Sequence, residues 1–296
     1  ALVDILVKAG LPKGVLNLVM GPGSEVGETM VNSPKVAGIS FTGSVGTGRS
    51  IAAKVTARMG KVQLEMGGKN PLVITDDADL DVAVDCAIQG AYFSTGQRCT
   101  ASSRLIVTSG IYDRFVQSMK ERLAALKVDD ALKAGTDIGP VVDQKQLEID
   151  LSYIEIGRNE GAHLVFGGER LQRENNGFYL SPALFVDADN SMRIAQEEIF
   201  GPVAAVIRAD DYEHALALAN DTNFGLCSGI VTTSLKLATH FKRHAQTGMV
   251  MVNLATAGVD YHVPFGGRKD SSYGSREQGS YAAEFYTTVK TTYISA

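Results

Sequence analysis

Val36-Ala37-Gly38-Ile39-Ser40-Phe41-Thr42-Gly43-Ser44-Val45-Gly46-Thr47-Gly48 decides the fold. Residues 36–41 are an apolar run of strand length, and residues 50–57 follow with a helical pattern. Residues 61–66 read as another strand, so the unit is strand, helix, strand. The alternation continues towards the C-terminus. Strands are expected at 71–75, 105–107, 164–166, 203–208, 229–232 and 249–253. Helices are expected at 79–93, 112–126, 144–159, 212–220 and 235–244. Strands alternating with helices imply a mostly parallel sheet in a layered α/β fold.

The two ends break this rhythm. Residues 1–8 carry Leu2, Ile5 and Leu6 at helical spacing, and Gly10 stops them. A complete domain seldom begins abruptly inside a helix, so a shortened or processed start is expected. The start also lacks the basic and long apolar stretches of a signal peptide. Residues 15–19 form a short apolar run before Gly21-Pro22-Gly23 and read as a strand. Residues 285–294 are rich in Thr, Tyr and Val with no helix after them. They read as a terminal strand that pairs away from its own domain.

Composition narrows the function. The 296 residues carry 28 Lys and Arg against 33 Asp and Glu, a net charge of −5. An acidic balance argues against a nucleic-acid binder, which needs a basic face. No apolar run is long enough to span a bilayer, so no membrane partner is expected. Three cysteines cannot build a disulfide framework, which reads as a reducing, cytoplasmic compartment.

Three segments could carry chemistry. Gly43, Ser44 and Gly48 follow a strand and open a helix, where backbone N–H groups bind anions. The same glycines also serve a plain strand-to-helix turn. In Leu64-Glu65-Met66-Gly67-Gly68-Lys69-Asn70 an acid ends an apolar strand. Desolvation there would raise its pKa and suit a general base near neutral pH; the alternative is an ordinary glutamate at a strand end. In Gly96-Gln97-Arg98-Cys99-Thr100 a cysteine lies in a polar turn after a helix, open to a role as nucleophile or to packing. Cys86 and Cys227 lie in apolar contexts and read as buried. The five histidines are scattered, with only His240 and His244 at helical spacing on what reads as a solvated face, so no metal site is expected.

Taken together, these segments resemble the NAD(P)-dependent aldehyde dehydrogenase superfamily, in order and over essentially the whole chain. Phe41-Thr42-Gly43-Ser44 with Gly48 looks like its cofactor motif, and Leu64–Lys69 like its glutamate motif. Gly96-Gln97-Arg98-Cys99 looks like its cysteine motif, at the family's usual interval from Glu65. Glu197-Glu198-Ile199-Phe200-Gly201-Pro202 looks like the motif whose second Glu and Phe hold the nicotinamide ribose and ring, and Pro264-Phe265-Gly266-Gly267 like the motif at the substrate funnel.

The resemblance implies a partial Rossmann-like cofactor domain at 1–66, an α/β catalytic lobe at 67–279 and an oligomerisation segment at 280–296. It implies Cys99 as nucleophile and Glu65 as general base. Gly43, Ser44, Gly48, Met66, Glu198 and Phe200 would contact NAD or NADP, and Arg98 and Phe265 the substrate. It implies a homo-oligomer acting on a small aldehyde. The family's second oxyanion donor is an asparagine upstream of its glycine motif, a context that neither Asn17 nor Asn70 matches. Taken as complete, the 296-residue chain is therefore expected to have little or no dehydrogenase activity.

The tail, Lys269 to Gly279 and Ala283 to Thr287, is similar to the branch acting on α-ketoglutarate semialdehyde (2,5-dioxopentanoate). That branch more often has Gly at the position of Asp270 and Pro at that of Ser275. An acidic semialdehyde would want a cation in the funnel, for which Arg98 and Arg268 are candidates, while Arg276 reads as structural. Two other readings stand beside this one: a non-catalytic assembly partner, and a cofactor-independent cysteine esterase using Cys99 and Glu65.

Overall fold

A computed structural model describes residues 1–296. Its first part carries the short helices α1 (Leu2–Lys8) and α2 (Glu28–Asn32), strand β1 (Gly38–Thr42), helix α3 (Val45–Ala57) and strand β2 (Lys61–Glu65). α3 begins five residues before the apolar periodicity does, because the Ser44 side chain caps it by accepting the Thr47 N–H. The central part alternates as expected: β3 (Pro71–Ile74), α4 (Leu80–Ala91), β4 (Arg104–Thr108), α5 (Tyr112–Ala125), α6 (Gln144–Asn159) and β5 (His163–Phe166). Asp79 lies just outside α4 and caps it, accepting the Asp81 and Val82 N–H groups.

The small hairpin β6 (Arg170–Leu171) and β7 (Tyr179–Leu180) leads into β8 (Ala183–Val186), α7 (Arg193–Gln196), β9 (Val203–Ala209) and α8 (Tyr212–Asn220). The last part holds β10 (Phe224–Gly225), β11 (Cys227–Val231), α9 (Leu235–His244), β12 (Met249–Val252), β13 (Arg268–Lys269), β14 (Ser272–Tyr273) and α10 (Ala282–Tyr286).

Seven strands form the main sheet in the order β12-β11-β3-β4-β9-β8-β5. Every neighbouring pair is parallel except β5 with β8. Both faces are covered, which is why its strands read as continuous apolar runs. On one face Leu72, Ile74, Leu105 and Val107 pack with α4 and α5 residues such as Ala87, Phe115 and Met119. On the other, Val73, Ile106 and Ile207 pack with Leu147, Ile154, Ala215 and Phe241. A second sheet runs β1-β2-β14, with β1 parallel and β14 antiparallel to β2.

The strand expected at 15–19 is absent, and the segment at 285–294, expected to pair away from its own domain, pairs with none of the chain's own strands. Residues 15–19 form no element, and Val15, Leu16, Leu18 and Val19 are exposed. The Asn17 amide instead turns back to the Gly14 carbonyl at 3.0 Å. Residues 285–294 begin in α10 and form no strand after it, with Val289, Tyr293 and Ile294 almost fully exposed. A strand exists only by pairing, and neither segment pairs with an edge of the chain's own sheets. No helix is long and apolar enough to cross a membrane.

Phe115 is fully buried on α5, whereas Leu132 is 95% exposed. Phe115→Ala should cost about 3–5 kcal/mol in urea denaturation. Leu132→Ala should stay within about 0.5 kcal/mol of the parent protein.

Candidate active site

Strand register brings the first groups together. Within the small sheet Glu65 of β2 lies opposite Thr42 of β1 on one side and Ser272 of β14 on the other. The Gly43 N–H donates to the Glu65 carbonyl at 3.0 Å, and the Met66 N–H to the Ser271 carbonyl at 2.8 Å. The glycine turn that opens α3 is thereby stitched to the end of the strand that presents Glu65. Gly48 has a packing reason to be glycine: a Cβ there would come within 2.4 Å of Met66 Sδ. Met66 thus rests against the first turn of α3.

The Glu65 carboxylate is only 3% exposed, and Oε2 accepts a hydrogen bond from Ser272 Oγ at 2.6 Å. Burial pushes its pKa up to about 7, with the Glu277 carboxylate adding to the rise. Ser272 and the Arg276 guanidinium pull the other way. A buried carboxyl that titrates near neutrality is suited to take a proton from water.

The thiol is built on a strained turn. After α4, Ser94, Thr95 and Gly96 all have positive φ, at 54°, 59° and 65°. Three left-handed residues in succession are uncommon outside functional turns, and two of these bear side chains. They deliver Cys99 half-buried, while Cys86 and Cys227 are buried. Burial pushes the Cys99 thiol up, and Glu198 and Glu65 push it further; the backbone N–H groups of Cys99 and Thr100 oppose them. Arg98, although adjacent in sequence, is not among the groups acting on the sulfur.

Asn70 holds this turn in place. Its Nδ2 donates to the carbonyls of Cys99 at 2.8 Å and Ala101 at 2.9 Å, and its Oδ1 accepts the Cys227 N–H at 3.1 Å. With both amide protons committed, Asn70 is not an oxyanion donor, and Asn17 is bound to Gly14 far along the chain.

Glu198 reaches the same place from the loop before β9. Its Oε1 accepts the Gly68 N–H at 3.1 Å, and a Cβ at Gly67 would lie 2.1 Å from Oε2. Only glycine lets the carboxylate lie flat on that backbone. Burial raises the Glu198 pKa, against the pull of the Gly68 N–H and Lys69. The next aromatic, Phe200, has φ 63° and is 39% exposed. A bulky residue in that conformation costs about 1–3 kcal/mol and persists only where its surroundings impose it.

These groups open on one cleft of about 740 Å³. Gly43, Ser44, Glu65, Met66, Arg98, Cys99, Glu198, Phe200 and Phe265 all line it. Gly48 does not, and acts through Met66. Arg268 is exposed on β13, which pairs with β10, and does not line the cleft, so the expectation of a funnel cation there is not met. Its sequence proximity to Phe265 is undone by pairing, since Phe265 bridges Glu277 while Arg268 lies opposite Gly225. Gly258 and Val259 line the cleft without a motif to announce them. Ser272 was equally unannounced, since only strand pairing brings it to Glu65. The bare first turn of α3, the glycine floor at Gly67 and the exposed Phe200 ring in one cleft suit a dinucleotide with its phosphate near the helix terminus.

The chain belongs to the aldehyde dehydrogenase family, whose model, described as "Aldehyde dehydrogenase family", matches residues 1–292. Among curated relatives it is 47% identical to the alpha-ketoglutaric semialdehyde dehydrogenase of Bacillus subtilis over 97% of the chain. It is 43% identical to the 2,5-dioxopentanoate dehydrogenase of Saccharolobus solfataricus over 99% of the chain. It spans only 59% and 61% of those two proteins. Among solved structures it is similar to a betaine aldehyde dehydrogenase from Staphylococcus aureus in complex with NAD+, with a TM-score of 0.93 and 36% identity, covering 96% of this chain and 56% of that one. It is also similar to HpcC from Thermus thermophilus, with a TM-score of 0.93 and 40% identity, covering 98% and 57%.

Asn70→Ala would leave two carbonyls and one N–H of buried backbone without partners. It should lower unfolding free energy by about 2–4 kcal/mol in urea titration.

Proposed function

We propose that this chain carries the catalytic part of an NAD(P)-dependent dehydrogenase that oxidises an aldehyde to a carboxylic acid. The observation that carries the reading is the convergence of Cys99, Glu65, Glu198 and Phe200 on one cleft beside the α3 terminus. The Cys99 thiolate adds to the aldehyde carbon and forms a thiohemiacetal. The Cys99 and Thr100 N–H groups, which favour the thiolate, would serve as donors for the developing negative charge. Glu198 and Phe200 would hold the nicotinamide, whose chemistry would be to take up the hydride as the Cys99 adduct becomes a thioester. Glu65, ionised, takes a proton from water, which cleaves the thioester and frees the acid. Gly43, Ser44 and Met66 would hold the cofactor near α3, Gly48 would seat Met66, and Glu198 and Phe200 would hold the nicotinamide end.

Similarity to the two semialdehyde dehydrogenases favours an acidic semialdehyde such as 2,5-dioxopentanoate as substrate. Arg98, exposed at the mouth of the cleft, would meet the distal carboxylate and Phe265 the carbon chain. We assign cofactor binding to residues 1–66, catalysis to 67–279 and subunit pairing in a cytoplasmic homo-oligomer to 280–296, whose exposed Val289, Tyr293 and Ile294 lack a partner within the chain. Neither Asn17 nor Asn70 lines the cleft, so neither is assigned to the oxyanion.

The test incubates the protein with 2,5-dioxopentanoate and NAD+ or NADP+, and follows reduced cofactor and, by mass spectrometry, the acyl group on Cys99. Cys99→Ala should abolish both signals. Glu65→Gln should keep thioester formation and slow its hydrolysis by about 10²–10⁴-fold. Neither reduced cofactor nor a Cys99 adduct would overturn the reading.

Because Glu65 must be ionised to act and its pKa is raised to about 7, thioester hydrolysis should climb as pH rises through neutrality. Ser272→Ala removes a hydrogen bond that favours the carboxylate, so the midpoint of that climb should move to higher pH in single-turnover kinetics.

A further inference from the structure

Asp150 is a carboxylic acid with no exposed surface, in the middle of α6 and outside the cleft. Its Oδ1 accepts a hydrogen bond from Gln146 Nε2, one turn earlier, at 2.8 Å, and its Oδ2 has no partner. The same Gln146 Nε2 donates to the Ile199 carbonyl at 2.9 Å. The carboxyl lies against Gly201: a Cβ there would come within 2.2–2.4 Å of all three of its carboxyl atoms. On its other side Gly201 meets the thiol turn, since a Cβ at Gly96 would lie 2.2 Å from the Gly201 oxygen. Asp150, Gly201 and Gly96 therefore form a stack with no slack, running from α6 through the Phe200 turn to the turn that bears Cys99.

The chain leading into α6 grips that second turn as well. Thr95 Oγ donates to the Gly139 carbonyl at 3.2 Å, and the Val142 N–H donates to Gln97 Oε1 at 2.9 Å. One stretch of chain, 139–150, thus holds the thiol turn at one end and the Phe200 turn at the other.

We propose that Asp150 is a positioning residue: through Gln146 and Gly201 its carboxyl sets the turn carrying Glu198 and Phe200 against the turn carrying Cys99. The proposal rests on the reading of Cys99 as the nucleophile and Phe200 as a cofactor contact. An isosteric carboxyl or amide fills the site; a smaller side chain leaves Gly201 and Ile199 without support.

The charge state of Asp150 enters the same geometry. Burial pushes its pKa up to about 7, opposed only by Gln146. The titratable groups around it are committed elsewhere. On its own helix Lys145 and Glu148 are exposed, and Tyr153 donates to Glu197. On the facing loop Glu197 is paired with Arg193, and Glu198 accepts from Gly68. Cys99 lies beyond Gly96. A carboxyl whose folded pKa is raised favours the folded arrangement at low pH, and that contribution is lost as pH rises through the folded value. Above neutrality the charge is uncompensated and the stack loosens; below it the neutral acid sits in place. The substitution Asp150→Asn would keep the shape without the charge.

The test measures alkylation of Cys99 by iodoacetamide in the 296-residue protein, read peptide by peptide so that Cys86 and Cys227 do not contribute. Asp150→Asn and Asp150→Ala are compared with the parent protein, with folding checked by circular dichroism. The Cys99 pKa is fitted from each protein's own pH profile and each rate is expressed per thiolate, so that titration of the thiol itself does not enter the ratio of variant to parent. The expected D150N ratio is close to unity near pH 6 and departs from it by about threefold or more near pH 8.5. The expected D150A ratio departs by about threefold or more at every pH. A folded D150A within about 1.5-fold of the parent throughout overturns the proposal, as does a D150N ratio far from unity near pH 6, where the amide and the neutral acid share one shape. Should D150A not fold, the D150N ratio alone decides. Alkylation needs neither aldehyde nor cofactor, so absence of dehydrogenase activity would count against the proposed function and leave this measurement intact.

Discussion

One side-chain amide holds three separate pieces of chain at the heart of the molecule. Asn70 follows the glycine turn after β2, and its side chain binds the carbonyls of Cys99 and Ala101 and the N–H of Cys227. It joins the thiol turn to the start of β11 in the main sheet and to the end of the strand that carries Glu65. A buried amide with both protons and its oxygen engaged fixes its neighbours in direction as well as distance. The relative position of nucleophile and base depends on it.

Around that tie the backbone approaches itself more closely than side chains allow. Glu198 lies on Gly67, Met66 against Gly48, and Asp150 and Gly96 on either side of Gly201. Each contact carries one functional group against another element with no Cβ between them. The strain that results is local: Ser94, Thr95 and Phe200 all have positive φ, and all belong to the two turns that face the cleft. The two-faced sheet beneath, with apolar packing on both sides, is the rigid body that sustains such turns.

The second feature of the site is electrostatic. Glu65 and Asp150 are raised to about 7 and Lys69 is lowered to about 7, in each case chiefly by burial. Desolvation works against whichever form is charged, so acids rise and the base falls until they meet near neutrality. Glu65 faces the cleft, where the proposed function gives it the proton transfer. Lys69 and Asp150 are buried outside it.

The sequence by itself determined the alternation of strands and helices, the order of the motifs and the identity of the reactive residue types, because periodicity and turn chemistry are local properties. It even set apart Cys99, in a polar turn, from Cys86 and Cys227 in apolar ones. It misjudged the run at 15–19, whose strand-like composition finds no pairing within the chain, and passed over the short β8, which is defined by burial between β5 and β9. Only the tertiary structure decided that Ser272 binds Glu65, that Asn70 is committed to backbone, that Arg268 lies off the cleft and that Asp150 supports Gly201. Those facts depend on strand register, desolvation and contacts between residues far apart in the chain, none of which has a signature in the local order of amino acids.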